Sequence, residues 1–270
     1  MSTTTLKDLN TFTTMKLKCF LSSFSLLLFT FFANAQNEFF VVSDTDGHVN
    51  IRAEARVDSK IIYQMNNGMI VSGYIDNLDS FKKNWVAVQF YLPKSEAKNV
   101  AAKPEDWIPD VMNGFSLFTG YIYKDRLMNI EEGKAFKTKW VDDHFLLYND
   151  SIKIKFSSAD FQKEKHKIEK KQGFVTKIDG RFFAGTDGDL PRHEIKNFSI
   201  EINHRKIDIP KSCYQDLYEP NLNRFTNAYL GQDQILYIIM GNSDAAGWYD
   251  VIFIIKDGKY ITRYVFDGGC

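Results

Sequence analysis

Cysteine and histidine would carry most of the chemistry open to this chain, and both are sparse. There are three cysteines, Cys19, Cys213 and Cys270, and five scattered histidines, His48, His144, His166, His193 and His204. Nucleophilic catalysis by cysteine needs a thiolate near a helix N-terminus and a histidine to activate it. Cys213 lies at the start of a short helix expected to open at Pro210, but His193 and His204 precede it and no histidine follows. No His-x-x-x-His or Cys-x-x-Cys spacing offers a zinc site. Asp44-Thr45-Asp46-Gly47 and Asp187-Gly188-Asp189 resemble pieces of calcium loops, yet neither completes the 12-residue spacing with its closing glutamate. Both read as turns, where Asp and Gly are favoured locally. Gly241-Asn242-Ser243-Asp244-Ala245 lacks the second glycine of a nucleophile elbow and joins two expected strands. The residues therefore point to no catalytic group, no metal and no cofactor.

What remains is binding chemistry. Three polar loops, 185–193, 218–221 and 242–248, each present a basic or aromatic group, Trp248 among them. If they converge they form a binding face; if they do not, they are ordinary connections.

The N-terminus speaks to location. From Met15 the chain reads as an export signal: Lys16 and Lys18, an apolar run from Cys19 to Phe32, then the small-x-small site Ala33-Asn34-Ala35. Residues 1–35 are thus read as a signal peptide with translation starting at Met15 and the mature chain beginning near Gln36, placing the protein in the periplasm or outside the cell. The run is shorter than the ~20 residues a membrane span needs, and no transmembrane segment is expected in the mature chain. Cys19 lies at the start of the apolar run, whereas a lipid-modified cysteine would follow it, so it is not placed for lipid attachment. Removing residues 1–35 takes Lys7, Lys16, Lys18 and Asp8, leaving 31 basic and 33 acidic residues and a net charge of −2. That balance gives no reason to expect nucleic acid as a partner. An oxidising compartment permits Cys213 and Cys270 to form a disulfide that staples the C-terminus; two free thiols are the other state.

The mature chain reads as a β-rich protein of two domains, divided near Ile130. Residues 36–130 hold short β-like runs: Phe39–Val42, Met69–Ile75 after the turn Asn66-Asn67-Gly68, Trp85–Tyr91, and Gly120–Tyr123. Residues 136–270 are expected to form an antiparallel α+β domain. Its parts are a strand at Ile152–Phe156, a charged surface helix from Ala159 to Gln172 stopped by Gly173, and a hairpin turning at Asp179-Gly180. A second hairpin turns at Asn203-His204-Arg205, a short helix follows Pro210, and the end is a three-strand meander over Gln234–Met240, Trp248–Ile255 and Lys259–Phe266.

Within the first piece, Val49-Asn50-Ile51-Arg52, then Ser59-Lys60-Ile61-Ile62, Gly68 and Val71 resemble the opening of bacterial SH3-like (SH3b) domains. Trp85-Val86-Ala87-Val88 is similar to that family's Trp-x-x-Val strand, and Gly120-Tyr121-Ile122 with Leu127 to its closing strand. The resemblance covers about a third of the chain. Glu54-Ala55 stands where the family has Gly-Pro, and a long insertion at 92–119 holds Trp107. The resemblance implies a small SH3-like β-barrel that binds rather than catalyses, with peptidoglycan or an exported protein as partner. Arg52, Tyr74, Trp85, Trp107 and Tyr121 are the candidate contacts on it; core packing is the other reading for Trp85 and Tyr121, and loop support for Arg52. Two further functions compete: an inhibitor or immunity-type protein that blocks a periplasmic enzyme through residues 136–270, and a cell-wall hydrolase, which the missing nucleophile–base pair disfavours.

Overall fold

The computed structural model describes residues 38–74, 84–102, 107–112, 115–186, 188–231, 234–243 and 247–267. Residues 1–35, read from the sequence as a signal peptide, and Cys270 with its expected disulfide lie outside them.

The described residues are mostly β. The first eight strands are β1 (Glu38–Val42), β2 (His48–Arg52), β3 (Ile61–Asn66), β4 (Ile70–Tyr74), β5 (Trp85–Pro93), β6 (Trp107–Met112), β7 (Phe115–Tyr123) and β8 (Leu127–Asn129). They form one curled half-barrel sheet in the order β3-β2-β7-β5-β4-β1-β8, with β6 added on β7. The expected insertion does not leave the sheet at once. β5 and β7 stay paired as far as Pro93 and Phe115, so part of it lengthens the hairpin. Its described remainder includes a helical turn at Lys94–Ala97 and β6. The concave side is filled by Val49, Ile51, Ile62, Met65, Val71, Phe90 and Phe118. Gly120 is required by its neighbours, since a Cβ there would meet Ile51 Cγ2 at 2.5 Å and Ile62 Cδ1 at 2.9 Å.

The remaining strands build two more layers. A central sheet runs β20-β19-β18-β17-β9, with β9 (Lys134–Ala135), β17 (Thr226–Leu230), β18 (Leu236–Asn242), β19 (Tyr249–Lys256) and β20 (Lys259–Asp267). An outer sheet runs β10-β11-β12-β15-β16, with β10 (Lys137–Val141), β11 (His144–Tyr148), β12 (Ile152–Asp160), β15 (His193–Ile202) and β16 (Arg205–Ile207). A separate hairpin joins β13 (Ile168–Lys171) to β14 (Phe174–Ile178).

Side-chain alternation shows how the layers stack. On β18 and β19, Leu236, Ile238, Met240, Val251, Phe253 and Ile255 pack with Phe145, Ile154, Phe156 and Phe198 of the outer sheet. The intervening Tyr237, Ile239, Ile252 and Ile254 pack with Phe39, Val41, Ile70, Tyr91 and Ile130 beside the half-barrel. Both strands are therefore apolar at nearly every position, the pattern of a strand covered on both faces. β1 behaves alike: Phe39 and Val41 turn to the central sheet, Phe40 and Val42 into the half-barrel. Glu38–Cys270 forms a single compact unit, and the core crosses the division expected near Ile130.

The α+β expectation for residues 136–270 is corrected: that region is mostly β. The helix expected over 159–172 is the end of β12, a 3-10 turn at Lys163–Lys165, and β13. Its two apolar residues, Phe161 and Ile168, pack with Val175, Ile178 and Tyr218 in a satellite core. That tertiary burial outweighs the modest helix propensity of a charged segment. Gly173 is not a helix stop. With Gln172 it forms a tight turn in which both residues have positive φ (53° and 91°), the type I′ geometry of a β-hairpin. After Pro210 only a 3-10 turn forms, at Lys211–Cys213. The turns at Asp179-Gly180, Asn203-His204 and Asp257-Gly258 have the positive φ values of the same hairpin type.

Candidate functional site

The sequence-derived contacts do not form one face. Arg52 and Tyr121 are cross-strand partners on β2 and β7. The Arg52 guanidinium donates to Ser59 O at 2.7 Å, which ties down its own loop. Trp85 is buried edge-on against Tyr123 at 5.5 Å, so it serves packing. Tyr74 and Trp107 belong to β4 and β6, and their side chains lie outside the described residues. Trp248 is half-buried far along the chain. It stands edge-on to Phe225 at 4.9 Å, and its indole N–H donates to Asp250 at 3.1 Å. Cys213 is a buried free thiol whose pKa burial pushes up, the reverse of an activated nucleophile. Among the described residues no group of three or more His, Cys, Asp and Glu side chains is arranged to hold a metal ion, and no helix is long and apolar enough to cross a membrane.

The three polar loops do converge. Ser243 Oγ donates to Gly185 O at 2.7 Å, and Ser243 N donates to Glu219 O at 2.8 Å. The buried Glu219 carboxylate accepts the backbone N–H groups of Arg192 and His193 and pairs with the Arg192 guanidinium. Gly247 sits so close to Gly185 that a Cβ would meet its backbone at 3.0 Å. Glu219 is itself held at φ 50°, a strained setting for a non-glycine residue. Asn242 is fully buried and donates to Met240 O at 3.1 Å, while its Oδ1 accepts no hydrogen bond.

Tyr249 anchors this junction from β19. Its phenol donates to Tyr218 O at 2.6 Å and accepts Tyr218 N–H at 2.9 Å. Complete burial pushes its pKa far above the ordinary tyrosine range, so it stays a neutral donor.

Beside Tyr249 opens a cleft of about 210 Å³. Its walls are aromatic: Tyr91 and Phe115 from the half-barrel, Phe182 and Phe183 from the segment after β14, and Tyr264 from β20. At its base Arg263 grips Asp216 with two hydrogen bonds of 2.7 and 2.6 Å, and both side chains are mostly buried. The same guanidinium donates to Cys213 O at 2.5 Å. Arg181 stands 3.5 Å from the same carboxylate and remains half-exposed. Two cations thus share one carboxylate, and the Lys177 ammonium lies 4.8 Å above the Phe182 ring. The cleft joins apolar walls to a net positive base, the composition of a ligand site.

No spacing signal could have found these residues, because they come from six separate segments spanning Tyr91 to Val265. One cue was present: Phe182-Phe183 directly follows the Asp179-Gly180 turn and Arg181, an aromatic pair placed at a surface bend.

Near the cleft His166 is wedged between two carboxylates, with Nδ1 2.8 Å from Asp179 and Nε2 3.0 Å from Glu194. It stacks on Phe161 at 4.6 Å. For Asp179, partial burial raises the pKa, but the Lys167 N–H and the His166 ring outweigh it and hold the carboxyl below its ordinary value. The folded pKa is depressed, so the stabilisation exists above the ordinary carboxylate pKa of ~3.9 and is lost as pH falls through the folded value. Asp179→Asn should therefore lower the melting temperature at pH 6, and the gap to the parent should close below pH ~3.9. A gap that stays constant down to pH 2.5 would refute this assignment; melting curves across pH decide it.

Comparison of the chain with protein-family models, with curated proteins and with solved structures returns no match.

Proposed function

We propose that the chain is an exported, non-catalytic binding protein that engages the cell wall, with the aromatic cleft as its ligand site. The observation that carries the reading is the cleft itself: aromatic walls closing on a cationic base with one occupied carboxylate. The burial of the Cys213 thiol, which pushes its pKa up, supports binding over hydrolysis by a cysteine nucleophile.

The half-barrel supports an SH3b-like scaffold. The family-like segments occupy neighbouring strands of one curled sheet: Val49 and Ile51 on β2, Val71 on β4, Trp85 on β5, Gly120 on β7. A 3-10 turn at Lys124–Arg126 leads into β8, where Leu127 packs on the same core. In this reading the half-barrel is framework, and peptidoglycan or a wall-bound exported protein is the partner. The converging loops around Glu219 favour one other reading, an inhibitor that presents that face to an envelope enzyme.

Pelleting the full chain with purified peptidoglycan tests the wall reading. Retention should fall about tenfold in Phe182→Ser, the loss of roughly 1.4 kcal/mol of binding. No retention of the parent protein overturns the wall reading; retention unchanged by the substitution overturns the cleft as its site. Peptide mapping of the purified protein should place its N-terminus at Gln36, and an intact Met1 or Met15 terminus would overturn export.

A further inference from the structure

We infer that the open edge of β20 takes up an extended, acidic peptide as an added strand, with one of its apolar side chains seated in the aromatic cleft. The inference rests on the cleft being a binding site, but not on the partner being wall polymer.

Three consecutive residues of β20, Arg263, Tyr264 and Val265, line the cleft. Successive side chains of a strand point to opposite faces. A cleft that touches all three must therefore wrap the strand's edge rather than lie on one face. The rest of the lining agrees. Arg263 and Val265 share their face with Tyr249 and Leu217, whereas Tyr264 shares the opposite face with Tyr91. Among the described residues β20 pairs only with β19 and ends the central sheet.

Unpaired edges are normally blunted by charge, proline or bulges. β20 has a bulge at its start, where pairing skips Ile261 between Tyr260 and Thr262, and Ile261 is 54% exposed. Beyond the bulge, Thr262–Asp267 keeps regular register with β19 and contains no proline. The guarded part of the edge thus stops where the cleft begins. Phe115 and Phe182, at 42% and 46% exposure, flank that unguarded stretch. Strand addition draws affinity from such an edge and specificity from a pocket that receives alternate side chains.

Charge selects the occupant. Asp216 is already held by Arg263, so the half-exposed Arg181 and the nearby Lys177 leave the rim cationic. Antiparallel pairing of β20 with its copy centred on Arg263 would set Arg263 opposite Arg263 at the middle of the cleft stretch, although Lys259 would then face Asp267, and like charges across a ladder are unfavourable. An acidic partner strand meets the same cations productively.

The test uses the full chain and a fluorescein-labelled, capped hexapeptide, Val-Glu-Phe-Glu-Val-Glu, read by fluorescence anisotropy. Two N-methylated forms carry the methyl groups on alternate amides, one set each, and a fourth peptide has Lys for every Glu. The expected results are at least tenfold weaker binding of the Lys peptide, loss for one N-methyl set but not the other, and at least a fivefold loss in Arg181→Glu. Arg181→Glu changes a half-exposed side chain and is checked for an unaltered melting curve. Equal binding of both N-methyl peptides overturns strand addition, and equal binding of the Glu and Lys peptides overturns the acidic preference. No binding by any peptide overturns the inference, as does a concentration-dependent dimer abolished by Thr262→Pro, which would assign the edge to a second copy. Retention on peptidoglycan without peptide binding sinks this inference alone; peptide binding without retention sinks only the wall reading.

Discussion

Asp216→Ala should cost about 3–5 kcal/mol of folding stability, the usual penalty for removing one partner of a buried ion pair. Asp216 is 11% and Arg263 16% exposed, and two short hydrogen bonds join them. With the carboxylate gone, the Arg263 guanidinium keeps one acceptor, Cys213 O, beneath the aromatic cleft. Arg181 loses its anion as well, but its half-exposed side chain can turn to water. The desolvated charge of Arg263 is what makes the loss large. The double substitution Asp216→Leu with Arg263→Met removes both charges and fills similar volume. It should recover most of the lost stability, because replacing a buried pair by packed apolar residues is often neutral or better. Urea unfolding of the parent, the single and the double variants measures the cycle. A single-variant loss below about 1 kcal/mol, the scale of an exposed pair, would show that the cleft base is effectively wet. The same cycle bears on ligand choice. In the double variant Arg181 no longer shares a carboxylate, so preference for an acidic peptide should persist or grow even though Arg263 is absent.

How far the sequence revealed this molecule depended on the range over which each feature is determined. Turn chemistry is local, and Asn203-His204 and Asp257-Gly258 read correctly because two residues with positive φ set a hairpin turn, whereas at Asp179-Gly180 the turn forms but the expected hairpin is reduced to a single bridge between Ile178 and Arg181 while β14 pairs with β13. The final meander read correctly because its first two strands are apolar at almost every position and Asp257-Gly258 turns the second into the third. The stretch 159–172 misled because its charged residues suit a helix, while the decision lay with Val175, Ile178 and Tyr218, which hold Phe161 and Ile168 from outside the segment. The converging loops were visible as candidates, but their convergence is a property of Ser243, Gly185 and Glu219 meeting across as many as 58 residues of chain. Arg263 and Asp216, 47 residues apart, carry no pattern at all. Of the six aromatic or basic contacts named from sequence, the two with resolved packing on the half-barrel, Arg52 and Trp85, support a loop and a core. The cleft uses different aromatics.

The division near Ile130 is where sequence periodicity and the three-layer packing part, and it sets the second large effect. A fragment of residues 36–130 should not fold. On its own it would expose Phe39, Val41, Ile70, Tyr91 and Ile130, all buried against the central sheet in the whole protein. At about 1.5–3 kcal/mol for each large apolar side chain returned to water, the loss is on the order of 7–15 kcal/mol, as large as the entire stability of an ordinary domain. The complementary fragment would expose Tyr237, Ile239, Ile252 and Ile254 and should aggregate. In the intact chain the shared sheet makes unfolding cooperative. Ile252→Ala, at a fully buried position on β19, should cost about 2–5 kcal/mol and shift the half-barrel and the outer sheet together. Trp85 in the half-barrel and Trp140 on β10 of the outer sheet offer separate fluorescence probes. Two single-tryptophan proteins should give coincident urea transitions, displaced equally by Ile252→Ala. A dispersed amide spectrum from the 36–130 fragment, or separate transitions at the two tryptophans, would mean that the half-barrel stands alone and that the central sheet only leans on it.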